Sequence, residues 1–118
     1  MYKTGDARQI QLCPDAEESL AELLIQATKD LALQRMLAKV ERLFERFVST
    51  GVLNNEEHFN SEGDGFYAFK AYQLRAYGWY SSVMKGSFVV SHFVRKKKDK
   101  LRPEDKARMK RNKDQHDG

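Results

Sequence analysis

GFYAFKAYQLRAYGWYSSVMKGSFVVSHFV, residues 65–94, is dense in Phe, Tyr, Trp and Val and contains no proline. Aromatic and β-branched side chains suit a pleated, half-buried surface, so the stretch reads as sheet. Lys85-Gly86 marks a turn, and three strands are predicted at roughly 66–71, 73–81 and 87–95. In the last of them Phe88, Val90, His92 and Val94 are expected on one face, and Val89, Ser91, Phe93 and Arg95 on the other. Both sets are mainly apolar, which predicts a central, buried strand. A lone histidine in such a strand is either a core residue with a satisfied hydrogen bond or, close to the strand end, a proton-transfer group.

Working outward, the strand runs directly into RKKKDKLRP, residues 95–103. Residues 1–94 carry 10 Lys/Arg against 12 Asp/Glu, whereas residues 95–113 carry 11 against 3. A concentrated basic segment on a mildly acidic body is an electrostatic footprint for a polyanion, most often nucleic acid. After Pro103 the run EDKARMKRNKD predicts a final helix, with Pro in the first turn and acidic residues beside it.

Upstream, RQIQL at residues 8–12 alternates polar and apolar and predicts a short strand ended by Pro14. Asp15 with Glu18 has the form of a capping box. Leu20, Leu23, Leu24, Ala27 and Leu31 then recur at helical spacing, followed by Leu33, Leu37, Val40, Leu43, Phe44 and Phe47 up to Gly51. A single helix over this span would be about 50 Å long, too long for one small core to cover, so a bend is expected around Lys29–Leu33. Residues 52–65, rich in Asn, Asp, Glu and Gly, read as a polar loop in which His58 is incidental.

The predicted fold is a small single α+β domain over residues 1–118, in the order β-α-α-β-β-β-α. An antiparallel sheet packs on two helices, with a basic C-terminal segment at 95–113. No apolar run reaches the roughly 20 residues of a membrane span, and the first residues lack the apolar core of a secretory signal. The single cysteine, Cys13, suits a reducing cytoplasm. No cofactor or metal is expected, because phosphate-loop, GxSxG and HExxH motifs are all missing from the sequence.

Phosphodiester chemistry remains open. An RNA 2′-OH can attack the neighbouring phosphate when a base, an acid and cations are placed around it, with no metal ion. Arg75 has the planar fork of a phosphate clamp. Of the aromatics Tyr72, Tyr77, Trp79 and Tyr80, no more than two are expected to touch a ligand, by stacking on an unpaired base.

The strand VVSHFVRKK leading into a basic block and a Pro-started helix, within this element order, resembles the RelE/ParE superfamily of bacterial toxins. It is most similar to the HigB-like, phage-associated branch. There the last strand ends in a pattern like H-x-F-x-K-K followed by Lys and Pro. Phe93, Arg95, Lys96, Lys100 and Pro103 fall on that pattern, with Ala107 in the following helix; the histidine stands one position late. The resemblance implies a ribosome-dependent, metal-independent mRNA endonuclease, restrained by a cognate antitoxin that in this branch is often a helix-turn-helix protein. By position it implies Arg75 and Arg95 as phosphate clamps and His92 or Tyr80 as the proton-transfer group. Lys70, Lys96, Lys97, Lys98, Lys100 and Arg102 would be contacts to mRNA or ribosome. A gyrase poison of the ParE kind and a non-catalytic nucleic-acid-binding accessory protein are the alternatives.

Overall fold

The computed structural model describes residues 2–96 and 101–117. The chain order is β1 (Lys3–Thr4), β2 (Gln9–Leu12), α1 (Pro14–Ala27), α2 (Leu31–Thr50), β3 (Phe59–Gly63), β4 (Phe66–Ala71), β5 (Leu74–Tyr80), β6 (Ser87–Arg95) and α3 (Pro103–His116). Six strands form one sheet in the order β1-β2-β6-β5-β4-β3. The expectation of an antiparallel sheet is corrected at one pairing: β2 runs parallel to β6, with Ile10 opposite Phe88 and Leu12 opposite Val90. The α1–α2 connection between them supplies the long crossover that parallel strands require. Among the described residues no helix is long and apolar enough to cross a membrane.

The expected bend lies at residues 28–30, and its cause is visible in the sequence. Asp30 leaves helical geometry and its carboxylate accepts the Leu33 N–H at 3.1 Å, capping α2. Gly51 closes α2 in the left-handed conformation. The capping box at Asp15 does not form. Cys13 is the N-cap of α1, without a side-chain cap, and Pro14 occupies the first turn.

The principal core lies between α2 and one sheet face. Phe44 and Phe47 of α2 meet Phe69 edge-on at 4.8 and 5.2 Å, and Phe69 meets Phe88 at 5.2 Å. Burying each such ring contributes about 1.5–3 kcal/mol. α1 packs beside α2 but buries only a narrow stripe, including Leu23 and Ala27, and leaves Leu24 exposed. The opposite sheet face receives α3: Trp79 Nε1 donates to Asp117 Oδ2 at 2.7 Å, and Lys113 sits over the Phe66 ring.

Besides β1, which pairs antiparallel with β2, two features fall outside the sequence reading. The supposed loop at 52–65 contains β3, joined to β4 by Asp64-Gly65, both at positive φ. Asp-Gly between two strands is a strong hairpin signal, so the mark was present in the sequence. The β4–β5 turn is the other. Ala71 pairs with Leu74, leaving Tyr72 and Gln73 as a two-residue turn, and Tyr72 has φ 56°. A non-glycine side chain in that region costs about 1–2 kcal/mol. Lys39 Nζ, 4.5 Å from the centre of the Tyr72 ring, returns only about 0.5–1 kcal/mol at so exposed a site.

Candidate nucleic-acid interface

A bulge in β6 organises the α3-side face. Tyr77 pairs with His92 but Gly78 pairs with Val90, so Ser91 is an extra residue on β6. The simple alternation is therefore corrected. Phe88 and Phe93 both face α2, and Ser91 and His92 both turn towards α3. Gly78 is required opposite the bulge, because a Cβ there would lie 2.1 Å from the Val89 carbonyl oxygen. β2 ends before the bulge, and side chains satisfy the β6 backbone in its place. Ser19 Oγ accepts the Phe93 N–H at 2.9 Å, and Cys13 Sγ donates to the Ser91 carbonyl.

The bulge residues enter a buried polar chain. Asn112 donates to Ser91 Oγ at 2.8 Å, Ser91 Oγ lies 2.8 Å from His92 Nδ1, and His92 Nε2 lies 3.1 Å from Asp105 Oδ1. Every group is satisfied when Ser91 donates to Nδ1 and Nε2–H donates to the carboxylate, which is the neutral imidazole. Burial indeed lowers the His92 pKa, outweighing the upward pull of Asp105. Asp105 moves down as well: burial raises it, but hydrogen bonds from His92 and Arg102 win. The Ser–His–Asp order has the look of a hydrolytic triad, yet Ser91 and His92 are both 0 % exposed. This chain fastens α3 to the sheet. Beside it Asp15 accepts Arg108 Nε and Nη2, both at 2.6 Å, which with the Asn112 hydrogen bond holds its carboxyl down at about 2 and ties α1 to α3.

Cations gather around the other end of Asp105. Arg102 Nε lies 3.2 Å and Lys96 Nζ 3.8 Å from Asp105 Oδ2. Lys96 Nζ donates to Tyr77 Oη at 2.9 Å. Burial lowers the Lys96 pKa and raises that of Tyr77. Further out on the same face, Lys70 and Arg75 pair across β4 and β5. Glu62 is the extra residue of a second bulge, between Ser61 and Gly63. Burial raises its carboxyl pKa against the opposing fields of Lys70, Lys96 and Arg75. A half-buried carboxylate whose pKa burial raises, set among cations, has the character of a proton-transfer group.

The structure therefore divides the residues named from sequence. Lys70, Arg75, Lys96 and Arg102 share the α3-side face. Arg95 and Tyr80 point to the opposite side: Arg95 pairs with Asp30 at 2.6 Å, and Tyr80 packs edge-on against Phe88. His92 lies beneath the cations, with both ring nitrogens bonded, and does not meet solvent. Lys97, Lys98 and Lys100 lie outside the described residues. Sequence reading did not single out Glu62, whose surroundings depend on strands distant in the chain, and it took His58 as incidental. That histidine lines an open groove of about 410 Å³ together with Lys70 and Arg75.

Fold and site together define a small α+β domain that presents a cation-lined sheet face beside its C-terminal helix. No protein-family model matches the chain, and no curated protein matches it.

Proposed function

We propose that this chain is the toxin of a toxin–antitoxin pair, a metal-independent endoribonuclease that cuts mRNA on the ribosome. The observation that carries the reading is the convergence of Glu62, Lys70, Arg75 and Lys96 on one sheet face. Lys70, at the wall of the open groove, holds the scissile phosphate, and the buried Arg75 beneath it adds positive potential against the charge that develops there. Glu62 takes the proton of the 2′-OH as its oxygen attacks phosphorus. His58, on the same groove, returns a proton to the departing 5′ oxygen, leaving a 2′,3′-cyclic phosphate and a 5′-OH end. Lys96 and Arg102, oriented by Asp105 and His92, supply positive potential at the end of β6. The cognate antitoxin and the ribosome are the expected partners.

A second reading, a nucleic-acid-binding protein without cleavage, is favoured because Arg75 at 3 % exposure and Lys96 at 6 % are kept from a reacting phosphate, which leaves the half-buried Lys70 and the exposed Arg102 to hold a polyanion. Cleavage of a labelled mRNA with and without translating ribosomes, with excess EDTA in the ribosome-free arm, separates them. Cuts at defined codons only with ribosomes, lost in Glu62→Gln and Lys70→Ala at unchanged melting temperature, support the nuclease. Salt-sensitive binding by folded protein without scission supports the binder.

A further inference from the structure

The tip of the β4–β5 hairpin holds a tyrosine where the backbone favours glycine. Tyr72, at φ 56°, is the first residue of the two-residue turn and is 70 % exposed. The Lys39 ammonium contact does not return the strain of that conformation. The turn is nevertheless held firmly from below, because Arg75 Nη1 donates to the carbonyls of Tyr72 at 2.5 Å and Leu74 at 3.1 Å. A costly residue kept in a braced turn points to a role for its side chain.

Tyr72 borders the groove that Lys39, His58, Lys70 and Arg75 also line, with Glu56 and Glu57 on the loop wall. Its volume of about 410 Å³ lies within the roughly 300–1,000 Å³ of small-molecule sites. Lys39 is placed over the Tyr72 ring, which leaves the remaining ring surface to solvent. Tyr77 and Trp79 are fully buried and Tyr80 packs into the α2-side core. Tyr72 is thus the aromatic on these strands that stands open beside the cations.

We propose that Tyr72 is a stacking platform for one unpaired RNA base, clamped by Lys39, and that it sets the register of the strand whose phosphate reaches Lys70. This rests on the RNA reading above and adds a specificity-determining position to it. A ring accepts any base by its face, whereas the cations grip the backbone. The hairpin tip would fix which nucleotide step is presented, not which base is chosen.

The test is fluorescence anisotropy of a labelled, unstructured oligouridylate RNA against wild type, Tyr72→Gly and Tyr72→Phe, at several salt concentrations, with melting temperatures measured in parallel. Tyr72→Gly is expected to bind about 5- to 100-fold more weakly with an unchanged salt slope, since no phosphate contact is removed. Its melting temperature should equal or exceed that of wild type, and Tyr72→Phe should bind as wild type does. If wild type binds and Tyr72→Gly binds equally well, the platform is refuted while the RNA reading stands. A lower melting temperature for Tyr72→Gly overturns the strain argument and the platform with it. If wild type shows no salt-dependent binding of free RNA, the platform is refuted, and the ribosome-dependent cleavage assay alone decides the RNA reading.

Discussion

Replacing Asp105 by Asn removes one charge and almost no volume from the junction between β6 and α3. The carboxylate has three neighbours: His92 Nε2 at 3.1 Å, Arg102 Nε at 3.2 Å and Lys96 Nζ at 3.8 Å. Arg102 is more than half exposed, so its pair is worth about 0–1 kcal/mol. The His92 hydrogen bond is buried and charge-assisted, worth about 1.5–3 kcal/mol. An asparagine can offer its oxygen either to His92 or to the cations, and the other side then faces an N–H₂. Lys96, itself buried, loses its carboxylate, and breaking a buried pair costs about 3–5 kcal/mol. These effects share one group and do not add, so the expected loss is about 3–5 kcal/mol. Set against a typical stability of about 5–15 kcal/mol, it lowers the melting temperature by about 10–25 °C at this size. Urea unfolding followed by the fluorescence of Trp79, the only tryptophan, measures it, with Arg102→Ala as the control expected to lose less than about 1 kcal/mol. A loss for Asp105→Asn below about 1 kcal/mol, at unchanged m value, would refute the view that this carboxylate holds the buried cations.

The neutral, buried His92 also makes stability depend on pH. Its folded pKa lies below the ordinary 6.5, so below about pH 6.5 the unfolded chain binds a proton that the folded chain refuses, and stability falls by up to about 1.4 kcal/mol per pH unit. The fall ends at the depressed folded pKa. Asp105 and Asp15, both held low, add losses only below the ordinary carboxylate range, near pH 4. Glu62, raised by burial, acts with the opposite sign in wild type and variant alike, gaining stability as pH falls through its folded pKa. Unfolding curves from pH 7.5 to 5 should therefore fall more in wild type than in His92→Asn; identical profiles would assign the decline elsewhere. Gly78→Ala drives a Cβ to 2.1 Å from the Val89 carbonyl and 2.6 Å from the Phe88 ring, and should destabilise by about 1–3 kcal/mol or more, read from the same urea curves. On activity, His58→Ala should reduce ribosome-dependent cleavage by about 10²- to 10⁴-fold with an unchanged melting temperature. Retained cleavage in that variant would remove His58 from the mechanism.

Local chemistry determined most of the element boundaries in advance. Asp30 and Gly51 punctuate α2, Pro14 and Pro103 open α1 and α3, and the Phe, Tyr and Val runs mark β4, β5 and β6. Each of these is settled by the backbone preferences of a few adjacent residues, so each is legible in one dimension. β3 was legible too, through Asp64-Gly65, but its polar residues resemble a loop because the strand lies at the sheet edge and is half-solvated.

The site was legible only in its residue types. The basic block predicted a cationic surface, whereas which cations meet was decided by register: Glu62, Lys70, Arg75 and Lys96 come from four separate segments of the sheet and its β6 end. The bulge at Ser91 reversed the faces expected for His92 and Phe93, and nothing in SFVVSHFVR alone marks where the extra residue falls. It arises from the misfit between β5 and β6 at Gly78, with Ser19 and Cys13 satisfying the backbone beyond the end of β2. Strand pairing and bulges are long-range hydrogen-bonding decisions. A sequence pattern specifies which faces a strand can offer, and only the partner strands select the one that is buried.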